Sequence, residues 1–162
     1  MAIAYIGLGS NLQNPAEQIR LALAALGNLP HSQVRAVSSL YRTEPLECAA
    51  PQPDFINAVA AVETSLTVST FFSQLQILET QLGRERNGVK NQPRLIDLDL
   101  LLFDQIQTNT SELILPHPRL KKRNFVLIPL LEIAPTVQLP GVESLEGLIQ
   151  ELRLQQTVVR IG

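Results

Sequence analysis

Apolar and polar positions along this chain recur with two different periods, and the switches between them mark out its elements. Residues 2–6 form a short apolar strand, followed by a turn, Gly7-Leu8-Gly9-Ser10-Asn11. Asn14 then caps a helix, with Pro15 at the first helical position and Glu17 set for a capping box. Ile19, Leu23 and Leu26 share one face of that helix, which stops at Gly27. Residues 34–41 read as a second strand and residues 55–64, which alternate, as a third. Between them residues 43–54 form a loop punctuated by Pro45, Pro51 and Pro53. Residues 68–82 carry Phe71, Leu75, Leu78 and Leu82 at helical spacing and end at Gly83. A polar loop over 83–93 leads into a fourth strand, residues 95–103.

The order is β-α-β-β-α-β, the split arrangement of an α+β, ferredoxin-like domain: an antiparallel sheet with both helices on one face. The rest is a less regular C-terminal extension. It offers a hairpin through Asp104-Gln105, a loop around Pro116-His117-Pro118, short helices over 125–133 and 144–152, and a strand over 158–161. A chain of 162 residues fits a single domain, 1–162, with room for a full core. This architecture hosts many activities, so function has to be argued from side chains.

The fourth strand carries the strongest chemical signal. Its apolar run is broken by Asp97 and Asp99, and aspartate is disfavoured inside strands. Side chains at i and i+2 leave the same face, with Cα atoms roughly 6.5 Å apart. The two carboxylates therefore aim together, while Ile96, Leu98 and Leu100 point to the opposite, buried face. Such a pair is either two solvated acids or a hard-oxygen site for Mg²⁺, which takes one or two protein carboxylates and fills its shell with water and phosphate. Local charge favours the metal. Arg84, Arg86, Lys90 and Arg94 precede the pair with only Glu85 among them, and Arg119, Lys121, Lys122 and Arg123 follow it. Carboxylates for metal among cations for phosphate are the parts of phosphoryl transfer.

Composition removes several alternatives. The net charge of −2 lacks the basic footprint of a nonspecific nucleic-acid binder, and with 4% aromatics and no Trp there is no base-stacking platform. The single Cys48 can form no internal disulfide. Neither a signal peptide nor a membrane-length apolar run is present, so a cytoplasmic protein with no membrane partner is expected. Other positions stay open on sequence alone. Gly7–Asn11 lacks the ending of a P-loop and the third glycine of a dinucleotide fingerprint, leaving a tight turn or a close approach to ligand. Arg84, Arg86 and Arg94 are either phosphate clamps or a solvated loop. His117, held between two prolines, is a positioned functional group or a surface residue. Phe55 and Asn57, on one strand face, are a core Phe beside an edge Asn or a stacking and amide-reading pair for a flat heterocycle.

Taken together, these residues resemble the 6-hydroxymethyl-7,8-dihydropterin pyrophosphokinases of folate biosynthesis. The resemblance rests on Tyr5-Ile6-Gly7-Leu8-Gly9-Ser10-Asn11-Leu12, the Ser-Ser-Leu-Tyr-Arg-Thr run over 38–43, and Pro53-Asp54-Phe55-Ile56-Asn57-Ala58. It continues through Gly83-Arg84-Glu85-Arg86, the 93–102 strand, and Pro116-His117-Pro118-Arg119 on to Pro135. The family implies the ferredoxin-like fold and transfer of pyrophosphate from ATP, as co-substrate, to the pterin hydroxymethyl group, with release of AMP. It implies Asp97 and Asp99 as ligands of two Mg²⁺ ions, with Arg84 and Arg94 steadying the triphosphate. Gln76, Glu79, Arg86, Lys90, His117 and Arg119 would form the nucleotide site. Gly9, Thr43, Pro45, Leu46, Phe55, Asn57, Arg123 and Phe125 would line the pterin pocket, with Phe55 and Phe125 sandwiching the ring. Its partners would be these two small molecules, and a monomer is expected.

One stretch departs from the family pattern. Lys90-Asn91-Gln92 stands where a basic residue, an aromatic or acidic one, and then a small residue precede Pro-Arg. Gln92 bears on how the 83–93 loop closes over substrate, not on the metal site. Two rivals are distinguishable by assay. A different Mg²⁺-dependent transferase on the same scaffold would release ADP or pyrophosphate in place of AMP, and a ferredoxin-like RNA-binding module would bind RNA without ATP turnover.

Overall fold

The computed structural model describes residues 1–44, 53–83, 95–153 and 156–162. The expectations attached to Pro45, Leu46, Cys48, Arg84, Arg86, Lys90, Gln92 and Arg94 therefore lie outside the described residues. The first strand, β1 (Ala2–Ser10), leads to α1 (Pro15–Gly27), β2 (Ser32–Val37), β3 (Tyr41–Thr43), β4 (Phe55–Thr64), α2 (Val68–Leu82) and β5 (Asp97–Phe103). A small hairpin, β6 (Thr108–Asn109) and β7 (Ile114–Leu115), follows. A single 3₁₀ turn at Leu120–Lys122, then α3 (Asn124–Ile133), α4 (Leu145–Leu152) and β8 (Val158–Arg160) complete the chain.

The main sheet runs β5-β1-β4-β3-β8, with β2 also on β4, and every pairing is antiparallel. β1 and β4 are its centre, in unbroken register from Ala2 opposite Thr64 to Ser10 opposite Ile56. Both faces are covered. Ile6, Leu8, Ala58, Ala60, Val62, Leu98 and Leu100 pack with Ile19 and Leu26 of α1 and Phe71 and Leu75 of α2. Phe71 meets Phe103 edge to face at 5.8 Å between ring centres. On the other face Val59, Leu101 and Leu102 pack with Val126, Leu127 and Leu130 of α3 and Leu145 and Ile149 of α4. The fold is α+β, and the C-terminal extension supplies a third layer. A bulge opposite Tyr5–Ile6 lets two successive leucines, Leu101 and Leu102, join that second core.

Four sequence expectations are corrected. Gly7-Leu8-Gly9-Ser10 is strand, not turn: β1 continues to Ser10 because β4 and β5 pair it on both sides. The second strand is two, broken at Ser38. There the Ser38 hydroxyl, in place of a backbone carbonyl, accepts the Val59 N–H at 2.9 Å. The capping box of α1 does not form. Asn14 sits in left-handed backbone (φ 61°) and its side chain makes no cap, while Glu17 pairs with Arg20 at 3.3 Å. Asp104-Gln105 does not turn a hairpin. Asp104 instead ties back to β1, accepting from Ile3 N–H at 2.7 Å and donating its own N–H to Ile3 at 2.8 Å. The hairpin is β6–β7.

Candidate active site

The face of the sheet below α3 is the floor of the site, and register decides what stands on it. Gly9 lies opposite both Asn57 of β4 and Asp97 of β5, and Gly7 lies opposite Val59 and Asp99. Two glycines thus leave the central strand bare between Asn57 and the carboxylates. A Cβ on Gly9 would lie 2.9 Å from Asn57 Oδ1, and one on Gly7 would touch Leu101. A strand glycine where something must approach the backbone closely accounts for both positions. Ser10 and Asn11 finish the motif by tying down the entries to the neighbouring strands. The Ser10 hydroxyl donates to the Leu95 carbonyl and Asn11 Nδ2 donates to the Pro53 carbonyl at 3.3 Å.

Above this floor is an open cavity of about 780 Å³. It brings together Gly9, Thr43, Phe55, Asn57, Asp97, Asp99, Arg119, Arg123 and Phe125, all named from the sequence. Thr43 and Asn57 are buried, and Asn57 Nδ2 donates to Thr43 Oγ1 at 3.0 Å, which fixes the amide plane with Oδ1 over Gly9. Arg123 lies over the Phe125 ring, 5.4 Å from its centre. Burial and the neighbouring Arg119 work against the Arg123 charge, while Asp99 and Asp97 favour it. The cavity therefore combines two aromatic rings, Phe55 and Phe125, and the Asn57 amide with charged side chains of both signs, Asp97, Asp99, Arg119 and Arg123.

A second cavity of about 320 Å³ opens on the far side of β5. Gln76 and Glu79 of α2, Asp99, His117, and residues 110–114 of the β6–β7 hairpin line it. Glu79 is anchored to the strand it faces, accepting the Leu98 N–H at 2.8 Å. His117 is pinned through its own N–H to the Leu101 carbonyl at 2.9 Å, and its Nδ1 accepts the Arg119 N–H at 3.2 Å. The neutral ring consequently carries its proton on Nε2. Burial lowers the His117 pKa, with Arg123 and Arg119 adding to the effect and Asp99 opposing it. Among the described residues, Asp99 is the one carboxylate that lines both cavities.

Among the described residues there is no cluster of three or more His, Cys, Asp or Glu side chains able to cage a metal. Asp97 and Asp99 form a half-exposed pair. That donor set fits Mg²⁺, whose remaining positions go to water and substrate phosphate.

Sequence reasoning missed part of the walls. Lys122 belongs to the basic run already noted. Glu44, Val126, Leu152 and Gln156 carry no local signal, since they enter through tertiary packing. The hairpin residues 110–114 were hidden by placing the turn too early.

The family described as 7,8-dihydro-6-hydroxymethylpterin-pyrophosphokinase (HPPK) matches residues 5–135. A 2-amino-4-hydroxy-6-hydroxymethyldihydropteridine pyrophosphokinase of Pseudomonas aeruginosa is 42% identical over 145 residues, covering 90% of this chain and 88% of the relative. The enzyme of the same name from Haemophilus influenzae is 38% identical over 151 residues, 93% of each chain. Among solved structures, an HPPK-DHPS in complex with substrates superposes with a TM-score of 0.71 at 14% identity. It covers 93% of this chain, which spans only 45% of that longer one. Wild-type HPPK-DHPS of Plasmodium falciparum with pteroate gives 0.69 at 14% identity, over 93% of this chain and 42% of the other. No helix of the described residues is long and apolar enough to cross a membrane. The chain belongs to the 7,8-dihydro-6-hydroxymethylpterin-pyrophosphokinase family.

Proposed function

We propose that this chain transfers the pyrophosphoryl group of ATP to the hydroxymethyl group of 6-hydroxymethyl-7,8-dihydropterin and releases AMP. The observation that carries this reading is the meeting of two cavities at Asp99. One is a slot with aromatic and amide walls suited to a flat heterocycle. The other is polar and flanked by His117 and α2, suited to a nucleotide. The phosphates would lie between them, beside Asp97, Asp99, Arg119 and Arg123.

In this reading Phe55 and Phe125 stack the pterin ring, and Thr43 holds Asn57 so that its carbonyl oxygen reads the ring edge. Gly9 lets the ring lie against the strand. Gln76, Glu79, His117 and Arg119 hold the nucleotide. Neutral His117 donates Nε2–H to phosphate and keeps its place through Arg119. Asp97 and Asp99 would hold two Mg²⁺ ions, which when bound supply charge neutralisation on the phosphates. The hydroxyl oxygen attacks the β-phosphorus, the bond to the α-phosphoryl oxygen breaks, AMP leaves, and the hydroxyl proton passes to solvent. No side chain is placed as a general base, and a loose transition state does not require one. Positioning and electrostatics carry the rate. Arg84, Arg86, Lys90 and Arg94 would complete the phosphate contacts, and Pro45 and Leu46 the pterin wall. The strand order supports a ferredoxin-like reading of β1 to β5, and a cytoplasmic monomer belongs to the same proposal.

The test is incubation of the protein with Mg²⁺ and ATP, with and without the reduced pterin. Pterin-dependent AMP is expected. ADP or free pyrophosphate as the nucleotide-derived product, or AMP formed equally without the pterin, overturns the assignment.

A further inference from the structure

Arg123, one of the cations lining the larger cavity, is tied to the helix it precedes only through its carbonyl, which accepts the Val126 and Leu127 N–H groups at 3.0 and 2.9 Å. It sits between the 3₁₀ turn and α3 in extended backbone (φ −130°, ψ 100°) and makes no side-chain cap. Its neighbours are held from elsewhere. Gln156, between α4 and β8, reaches back across more than thirty residues. Its Oε1 accepts the Asn124 N–H at 2.8 Å, and its Nε2 donates to the Lys122 carbonyl at 2.7 Å. One planar amide thus grips the backbone on both sides of Arg123. Gln156 is itself fixed, since its N–H donates to the Leu152 carbonyl at 2.9 Å. A third tie lies behind it, where wholly buried Asn124 donates Nδ2–H to the Ile149 carbonyl of α4 at 3.0 Å. Gln156 also lines the larger cavity.

We infer that Gln156 is the positioning residue for Arg123: it sets the backbone from which the guanidinium reaches over Phe125 toward Asp97 and Asp99. The two bonds act as a pair. An extended segment with its outward N–H and C=O paired to one amide has a fixed direction for the side chain between them. Loss of the amide leaves Arg123 tied to α3 through its carbonyl alone and frees the segment on its N-terminal side, from which the direction of the side chain is set. Phe125 would keep its place through α3 packing, while the guanidinium would lose its register against the carboxylates. As a statement about turnover, the inference rests on the pyrophosphokinase reading. As a statement about Arg123, it does not.

The test is a double-mutant cycle of Gln156→Leu with Arg123→Ala, read by kcat and KM for each substrate. Gln156→Leu is expected to lower kcat/KM for the pterin about tenfold, the size expected from a lost hydrogen-bonded pair, and to leave KM for ATP within about twofold. On the Arg123→Ala background the same change should cost less than about twofold further. Gln156→Glu, which keeps the acceptor for Asn124 but faces the Lys122 carbonyl with a carboxylate, should fall on the side of Gln156→Leu. It also serves as the second variant should the leucine protein fail to fold. Full additivity with Arg123→Ala overturns the inference, because a merely structural role persists without the arginine. An activity-independent readout separates the two readings: the ¹H–¹⁵N resonance of Arg123 Nε–H, assigned by its absence in Arg123→Lys, should shift or broaden in Gln156→Leu. An unchanged resonance overturns the inference whatever the enzyme does. A shifted resonance in a protein without pterin-dependent AMP upholds it and overturns the pyrophosphokinase reading alone.

Discussion

Gly9 shows how a single missing methyl group shapes this site. The position lies on a central strand, where glycine costs about 0.5–1 kcal/mol relative to alanine in backbone entropy. The geometry supplies the reason for it, since a Cβ there would lie 2.9 Å from Asn57 Oδ1. Asn57 cannot yield without leaving Thr43, to which it donates at 3.0 Å. Gly9→Ala should therefore leave the fold standing and weaken pterin binding by roughly tenfold, the scale of one misplaced hydrogen-bonding group, while ATP binding changes little. Separate titrations of the two ligands check this, and equal losses for both would mean that the strand itself has been disturbed. The carboxylates make a sharper case. Asp97→Ala or Asp99→Ala should each lower turnover by about three orders of magnitude, as expected when several kcal/mol of phosphate charge stabilisation is lost. Wild-type turnover by either variant at ordinary Mg²⁺ would remove the metal assignment.

At the scale of elements, β3 has to be held against α3, because Thr43 stands on one and Phe125 in the first turn of the other. The tie is Glu132. Its carboxylate accepts the Ser39 N–H at 3.0 Å, the Ser39 hydroxyl at 2.9 Å and the Tyr41 hydroxyl. These hydrogen bonds hold the Glu132 carboxyl below its ordinary range, although burial opposes them, and Arg160 adds to the effect. Tyr41 is pushed the other way, to about 12, by burial and by Glu132, with Arg160 opposing. Unfolded, the phenol titrates near 10, so between about pH 10 and pH 12 the native state binds more protons than the unfolded one. Stability present below pH 10 is therefore lost as pH rises through this window. Tyr41→Phe should flatten that part of the stability profile relative to wild type, leaving the smaller share from Tyr5, whose pKa is also raised. Chemical denaturation at a series of alkaline pH values measures it, and identical slopes for the two proteins would show that Tyr41 does not carry the effect.

The same elements show why some of the structure was legible in the sequence and some was not. The helices over 68–82 and 125–133 and the strand over 55–64 are marked by their own apolar spacing, and the structure places all three within a residue of expectation. Asp97 and Asp99 were legible because two acids in an apolar strand violate a local rule at fixed spacing. The break after Val37 was not, because the carboxylate that stabilises it comes from 93 residues away. Gly7 and Gly9 were misread for the opposite reason. Glycine is a turn signal in isolation, and only pairing on both sides of β1 turns it into a gap in a sheet. Gln156 had no signal at all, since its partners are backbone atoms of another segment.

For the molecule as a whole, the decisive feature is that both cavities share one wall. β5 separates them, Asp97 lines only the larger, and Asp99 lines both. In the proposed reading two ligands meet at this carboxylate with divalent cations between their charges, so their binding is expected to be coupled. The coupling is a free energy, and it should show as stabilisation beyond the sum of the separate effects, each of which grows as RT ln(1 + [L]/Kd). In thermal melts with Mg²⁺, a non-hydrolysable ATP analogue and the pterin together should raise Tm by more than the two individual shifts added. Asp99→Asn should make the shifts additive, because it alters the one acid that, among the described residues, is common to both cavities. Asp97→Asn should weaken the pterin-side shift and keep a measurable part of the coupling. The ranking of the two variants is the discriminating result. Equal loss of coupling in both would mean that the cations alone join the sites, and full coupling in Asp99→Asn would mean that the ligands communicate by direct contact with each other.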